Sequence, residues 1–258
     1  CFQSRYMIRV AAKLNDAGFR TFRMDLRGCG AGLRLSKLPF HSGRSADVEI
    51  TVQQLARLCP GSPLQLVGFS MGGNIALKLL GELGNRPCGN LVAAIAVCPP
   101  IDLSTTIAAV ENPRNRIYHR FILKTLWRQH LWRCRLTPDV KTVQFDRRPR
   151  GIRELDEVFT APVCGFSSAA EYYRLSSSLP LLANIQRPAK IMVAMDDPVV
   201  PYPQFLVADY PAAVQFQATR HGGHLGFVGT SGFDPDRRWM EWRVVDWVNG
   251  GFANPAPQ

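Results

Sequence analysis

The sequence predicts an α/β fold, with a mostly parallel sheet that carries helices on both of its faces. Short apolar segments rich in β-forming residues alternate with segments of helical spacing over most of the 258 residues. The strand-like segments are nearly continuous apolar runs, which is typical of strands buried on both faces. The longest run, Leu91 to Cys98, is far shorter than the roughly twenty apolar residues that cross a bilayer. The chain length suits one sizeable core with an insertion.

The first half of the chain predicts three helices and two strands. Apolar residues at helical spacing from Tyr6 to Leu14 run into Gly18, which is typical of a helix that ends at a glycine. The segment "FRTFRMDL" (19–26) alternates apolar and polar residues and is therefore a predicted strand. After it come a helical pattern "DVEITVQQLARL" (47–58), a strand pattern "SPLQLVGF" (62–69) and a helical pattern "GGNIALKLLGEL" (72–83).

The second half predicts an interruption of this alternation. Strand patterns stand at "LVAAIAV" (91–97), "AKIMVAM" (189–195) and "VQFQATR" (214–220), and "RRWMEWRVVDWVNG" (237–250) predicts a closing amphipathic helix. Between Asp102 and about Leu182 the sequence is helical, rich in arginine and punctuated by proline. We interpret this as one domain with an insertion: a first core part at 1–103, a basic helical cap at 104–182 and a second core part at 183–258.

The net charge is concentrated in that insertion. The whole chain carries a formal charge of +11 at pH 7, and twelve cations against two acids, Asp139 and Asp146, leave +10 between Arg114 and Arg153. The twelve are Arg114, Arg116, Arg120, Lys124, Arg128, Arg133, Arg135, Lys141, Arg147, Arg148, Arg150 and Arg153.

The cysteines predict a reducing compartment. The seven cysteines are odd in number, scattered and never in a C-x-x-C pair, and no signal-peptide pattern opens the chain. We therefore expect a cytoplasmic protein with inert thiols.

A candidate nucleophile lies in Gly68-Phe69-Ser70-Met71-Gly72. In a G-x-S-x-G turn the chain passes sharply from strand to helix, and small residues flank the serine because the two backbones nearly touch. A strand pattern precedes Ser70 and a helical pattern follows it, so the hydroxyl is expected at the strand end, above a helix N-terminus where an oxyanion is stabilised.

Candidate acids and bases follow in the order that this kind of site requires, first an acid and then a histidine. Asp196 and Asp197 come at the end of one strand pattern, and His221 and His224 follow the next. Taken singly, Asp-Asp-Pro is also a turn initiator and H-x-x-H a weak metal pair, for which Asp234 is the nearest third ligand. Their joint occurrence in order, each after a strand, favours catalysis over a metal site.

Two other motifs give weaker evidence of a function. "RGCGAG" (27–32) follows a strand pattern as a nucleotide loop does, but no apolar helix opens after it, so a structural turn is favoured. Cys29 and Cys98 are conceivable nucleophiles, yet neither has the glycine-flanked turn of Ser70.

Taken together, the motifs resemble the α/β-hydrolase superfamily and, more narrowly, the YheT-type hydrolases. The resemblance covers nearly the whole chain and rests on "RGCG" (27–30), "FHSG" (40–43), "GFSMGGN" (68–74) with "LKLLGE" (77–82), "CPPIDL" (98–103), "EYYRLSSS" (171–178), "DDP" (196–198) and "GGHLGF" (222–227).

The resemblance implies roles for individual residues. It makes Ser70 the nucleophile, His224 the base and Asp197 the acid, because the superfamily tends to place its acid in a D-x-x-x-P pattern, here ending at Pro201; Asp196 is the alternative. It implies the Met71 N–H as one oxyanion donor. In the family the second donor lies in a His-Gly loop before the first helix, and this chain starts after that loop, so the resemblance implies a chain that lacks the first strands and the second donor.

A basic amphipathic helix is predicted inside the insertion. Arg116, Arg120, Lys124 and Arg128 recur every four residues, and apolar residues occupy much of the remaining surface. We expect these apolar residues to face an acyl pocket and the cations to face solvent or an anionic lipid surface. The apolar residues are Ile117, Tyr118, Phe121, Ile122, Leu126 and Trp127.

The sequence thus predicts a serine hydrolase of carboxylic esters, lipid esters included, that needs no cofactor and no metal. An acyltransferase is an alternative, because the same nucleophile can pass the acyl group to an alcohol. A second alternative is an impaired hydrolase-fold protein that binds an anionic membrane or an acidic partner through its insertion. Nucleic acid is disfavoured, since no recognisable binding module accompanies the basic segment.

Overall fold

The computed structural model describes residues 3–136, 145 and 147–250, and in this part of the chain the predicted α/β class is confirmed. Four parallel strands form one sheet in the order in which they follow in the chain. They are β1 (Leu64–Phe69), β2 (Leu91–Val97), β3 (Ala189–Ala194) and β4 (Val214–Thr219). Parallel strands end at the same edge of a sheet, so the segments that follow β1 to β4 lie at one edge.

Ten α-helices are found among the described residues. They are α1 (Arg5–Asp16), α2 (Ser45–Leu58), α3 (Met71–Leu83), α4 (Leu103–Glu111), α5 (Arg116–Leu136), α6 (Ile152–Leu155), α7 (Ala161–Cys164), α8 (Ala169–Ser176), α9 (Pro203–Leu206) and α10 (Trp239–Asn249). A π-helical turn, Asp156–Thr160, joins α6 to α7, and short 3₁₀ segments occur at Gly30–Arg34, Pro113–Asn115 and Leu179–Asn184. The predicted helices and the four strands from β1 onward agree with these bounds within a few residues.

Both faces of the sheet are covered by helices. Successive side chains of a strand point to opposite faces. Accordingly Ala94 of β2 packs in the cluster that contains the buried side of α3, whereas its neighbour Ile95 packs with α1 and α10. Six consecutive residues of β3 are all buried, which explains the unbroken apolar run in its sequence.

The strand predicted at 19–26 is wrong. This segment is neither helix nor strand, and the described sheet begins at β1. Met24 and Leu26 pack partly against the core, but Phe22 is 52% exposed. Alternation of apolar and polar residues predicts which side chains point the same way. It does not ensure the neighbouring strand that ladder hydrogen bonds require.

The predicted insertion, 104–182, contains helices from most of α4 to α8, and its status as a separate cap stays a prediction. Its residues Asp139, Lys141 and Asp146 lie outside the described residues, as do Cys1, Phe2 and the tail after Gly250. None of the helices in the described part is long and apolar enough to cross a membrane.

The predicted orientation of α5 needs a correction. Ile122 and Leu126 line a cavity, but Ile117 and Phe121 are 76% and 71% exposed, and Tyr118 is exposed too. Positions four apart on a helix advance by about 40°, because each residue turns the helix by about 100°. A row of cations at that spacing therefore drifts around the helix and leaves room for apolar side chains on the outer surface.

Candidate active site

Ser70 occupies a strained turn between β1 and α3. Its φ is +50°, in a region that residues other than glycine seldom adopt. The turn is possible because Gly68 lacks a side chain: a methyl group there would overlap the carbonyl oxygen of Gly72. Gly73 is also closely packed, with Pro99 Cβ 3.1 Å from where its own Cβ would stand. Gly72 by contrast faces open space, so the close approach depends on Gly68 and Gly73.

The structure brings three of the predicted residues into one hydrogen-bonded row. His224 Nε2 lies 2.9 Å from Ser70 Oγ, and His224 Nδ1 lies 2.8 Å from Asp197 Oδ2. A carboxylate only accepts hydrogen bonds, so Nδ1 carries a proton and Nε2 of the neutral ring is left to accept the Ser70 hydroxyl proton. In this arrangement the imidazole can remove a proton from the serine.

The Asp197 carboxylate is held by the loop that follows β3. Its Oδ1 accepts the N–H groups of Val199 at 2.8 Å and Val200 at 3.0 Å, and its side chain is almost fully buried. These contacts fix the carboxylate independently of the histidine. They leave Oδ2 for His224.

Asp196 and His221 are not part of this row. Asp196 Oδ1 accepts the Gly223 N–H at 2.8 Å, which lowers the pKa of Asp196. Its Oδ2 lies 3.3 Å from Nδ1 of His221, whose side chain is 88% exposed. Asp196 therefore ties the loop that carries His224 to the end of β3.

Cys98 lies beside this row, and the sequence analysis did not predict that position. It is fully buried directly after β2, with φ +47°, and its sulfur lies within 4.8 Å of a carboxylate oxygen of Asp197 and a ring nitrogen of His224. Burial, and then the charge of Asp197, raise the pKa of the Cys98 thiol, so the thiol stays protonated. Cys98 follows β2, which stands between the strands that lead to Ser70 and Asp197, and this position could have predicted its nearness to the site.

The remaining candidates have structural contacts. Asp234, the nearest third ligand for an H-x-x-H metal pair, accepts from Arg243 at 2.6 Å. Arg27 of the "RGCGAG" segment pairs with Asp47 on α2, which fits a structural turn. Burial raises the pKa of Cys29 to about 11, and a protonated thiol is a poor nucleophile.

A cavity of about 130 Å³ lies beside the Ser70 turn. Met71 contributes to its wall, and most of the other lining residues come from α4, α5, α8 and the segment 152–160. The larger apolar side chains in the wall, besides Met71, are Phe40, Leu103, Ile107, Ile122, Leu126, Ile152, Leu155 and Phe159. The cavity thus extends from Met71, the residue after Ser70, into the helices of the predicted insertion.

Comparison with known proteins agrees with this architecture. The model of the alpha/beta hydrolase family matches residues 1–237. Among solved structures, an esterase of Pyrococcus furiosus superposes with a TM-score of 0.58 over 98% of this chain and 79% of its own, at 16% identity. At that identity the likeness supports the fold alone.

Two relatives with named activities are similar in sequence. YheT of Escherichia coli, named as a candidate esterase, is 34% identical over 233 residues, which are 87% of this chain and 66% of YheT. The monoacylglycerol lipase of Saccharomyces cerevisiae is 29% identical over 86% of this chain and 50% of its own. The chain thus spans between half and about two thirds of the length of these two relatives.

Proposed function

Because the chain belongs to the α/β-hydrolase family, we propose that it is a serine hydrolase of carboxylic esters that uses Ser70, His224 and Asp197. The observation that carries the proposal is the hydrogen-bonded row from Ser70 Oγ through the His224 ring to Asp197. The esterase and lipase names of the relatives support the same reaction class.

The reaction proceeds through an acyl-enzyme. Ser70 Oγ attacks the ester carbonyl carbon while its proton passes to His224 Nε2, and Asp197 stabilises the imidazolium that forms. The carbonyl oxygen becomes an oxyanion, to which the Met71 N–H donates; as the first N–H of α3 it has no acceptor within the helix. When the tetrahedral intermediate collapses, the C–O bond to the alcohol breaks and the imidazolium protonates the leaving oxygen.

Deacylation repeats these steps with water as the nucleophile. His224 takes a proton from water, the hydroxide attacks the acyl carbon, and the proton returns to Ser70 as the acid leaves. If an alcohol replaces water, the product is a new ester, so the same residues also support acyl transfer.

Labelling with a fluorophosphonate probe tests the nucleophile. We expect the parent chain to be labelled and Ser70→Ala to lose both the label and at least a thousandfold of its turnover of a p-nitrophenyl ester. Ser104→Ala, an exposed serine on α4, is the matched control and should keep both. Equal labelling or equal turnover in the Ser70→Ala protein would remove Ser70 from the mechanism.

A second candidate function is favoured by the outer surface of α5. This 21-residue helix contains no acid. Its cations Lys124 and Arg128 are exposed, and no ion pair to either is found among the described residues. Ile117, Phe121 and the half-exposed Trp132 share that surface. Cations and bulky apolar side chains on one helix are the combination that binds anionic lipid surfaces.

We therefore infer that α5 contacts an anionic membrane, whether or not the chain is also a hydrolase. Sedimentation with vesicles of phosphatidylcholine, with and without phosphatidylglycerol, tests this contact. Binding should require phosphatidylglycerol, weaken at high salt and fall in Lys124→Ala/Arg128→Ala and in Phe121→Ala. Arg57→Ala and Leu58→Ala, an equally exposed cation and leucine on α2, are the controls. Binding that is unchanged in the α5 variants would exclude this surface.

A further inference from the structure

The cavity beside Met71 has a definite position relative to the catalytic row. The general acid must reach the oxygen of the leaving alcohol, so the alcohol part of an ester lies on the side of Ser70 where His224 stands. Met71, the residue after Ser70, lines the cavity, whereas His224, Asp197 and Ser70 itself are not among its described lining residues. The part of the ester that enters this cavity is therefore the acyl group.

Several polar groups in the cavity wall have partners within the protein, whereas Gln129 Oε1 and His130 Nδ1 are buried without a hydrogen-bond partner among the described residues. Asp156 accepts the Tyr173 hydroxyl proton at 2.8 Å, and the Tyr172 hydroxyl donates to Ser42 Oγ at 3.0 Å. Burial lowers the pKa of His130, so its ring is uncharged at pH 7. Arg133 and Gln129 also line the cavity, but most of its remaining wall is aliphatic or aromatic. Such a wall fits a chain that is mainly hydrocarbon better than a charged one.

The size of the cavity limits the chain that it can hold. An engineered protein cavity of about 150 Å³ holds one benzene ring, six carbon atoms. A cavity of about 130 Å³ therefore has room for about five or six carbons. Each methylene that does not fit changes the specificity constant by roughly tenfold to 200-fold.

One wall of the cavity is a single helix face. Ile122 and Leu126 of α5 line the cavity, while Phe121 on the same helix is exposed. A longer chain that extends toward this wall must therefore displace this face of α5. Replacing Leu126 by alanine removes three carbon atoms from the wall, and surrounding structure fills such space only in part.

We propose that the cavity is the acyl site, that it selects short acyl chains of up to about six carbons, and that Leu126 and Ile122 set this limit. The proposal rests on the serine-hydrolase function and names its substrate class.

A chain-length series tests the proposal by a gain of activity, which misfolding cannot produce. The specificity constant kcat/KM is measured for p-nitrophenyl acetate, butyrate, hexanoate and octanoate. We expect the parent to prefer butyrate or hexanoate and to hydrolyse octanoate at least tenfold less well. Leu126→Ala, and to a smaller extent Ile122→Ala, should raise the octanoate-to-butyrate ratio at least tenfold. Leu131→Ala, the same change at an exposed position of α5, should leave the ratio within about twofold of the parent.

The other outcomes separate this proposal from the hydrolase proposal. If the parent hydrolyses octanoate as well as butyrate, or if neither cavity variant moves the ratio, the acyl-site proposal is wrong although the hydrolase remains. If no ester is cleaved and the fluorophosphonate does not react, ligand binding tests the acyl-site proposal instead. Methyl hexanoate or methyl octanoate is added to the Ser70→Ala protein, and the shift of its Tm is measured. Selective stabilisation by hexanoate that Leu126→Ala abolishes would keep the cavity as a short-chain site, and its absence would reject it.

Discussion

The Nε2 atom of His224 lies 2.9 Å from Ser70 Oγ, although 154 positions separate the two residues in the chain. β2 and β3 stand between the strands that lead to them. The contact is possible because all four strands end at one edge of the sheet and the loop after β4 reaches back across it. Asp197 contacts His224 itself, whereas Asp196 contacts other residues of that loop. The two aspartates should therefore affect catalysis to different degrees.

The two neighbouring aspartates should respond differently to the same substitution. Asp197→Asn should lower kcat by about ten-thousandfold, because an amide does not hold the tautomer in which Nε2 accepts a proton. Asp196→Asn keeps an oxygen for the Gly223 N–H and should lower kcat by no more than about tenfold. Steady-state kinetics on one soluble ester, with Tm to confirm folding, measure both. A larger loss in Asp196→Asn than in Asp197→Asn would exchange their roles.

Gly68 and Gly72, the two glycines that flank the serine turn, should also respond differently to the same substitution. A methyl group at Gly68 overlaps the Gly72 backbone, so Gly68→Ala should lower the free energy of unfolding by roughly 1–3 kcal/mol or prevent folding. Gly72→Ala is the matched control, because nothing lies within 4 Å of its added carbon, and its effect should stay within about 0.5 kcal/mol. Urea unfolding followed by circular dichroism measures both. Equal destabilisation would show that the turn, not the close contact, requires glycine.

Sequence patterns predict this fold best where burial is complete. β2 and β3 were predicted almost to the residue, because strands covered on both faces are short apolar runs between turn signals. The order of Ser70, the aspartate pair and the histidine pair placed the candidate site at the strand ends. Neither the order nor the strand ends chose between Asp196 and Asp197; only the D-x-x-x-P resemblance favoured Asp197.

The wrong predictions have one physical cause. A sequence pattern describes a segment but not the elements that pack against it. At 19–26 the alternation was present but no ladder formed. On α5 the period of the cations was read correctly, yet which apolar residues face inward depends on how the helix lies on the core. Cys98 begins the "CPPIDL" motif, but that motif assigns it no role, and its nearness to Asp197 and His224 follows from strand order.

The buried carboxyl of Asp156 makes stability depend on pH. Burial raises the pKa of Asp156 to about 6, whereas an unfolded aspartate has a pKa of about 3.9. Between these pH values the folded chain binds a proton that the unfolded chain has lost. The free energy of unfolding therefore falls as the pH rises from about 4 to about 6, and the loss, on the order of 3 kcal/mol, persists at higher pH.

Asp156→Asn removes this ionisation and keeps an oxygen that can accept from the Tyr173 hydroxyl. We expect the variant to be more stable than the parent at pH 8, by up to about 3 kcal/mol. At pH 4 the folded carboxyl is protonated and the unfolded one is about half protonated, so the two proteins should agree within about 0.5 kcal/mol. Urea unfolding at the two pH values measures the difference. Glu154→Gln is the control with the opposite sign, because the Arg150 N–H lowers the pKa of Glu154, so its neutralisation should reduce stability at pH 8. A loss of stability in Asp156→Asn at pH 8 would mean that hydrogen bonds from Tyr173 and Thr160 favour the carboxylate by more than burial disfavours it.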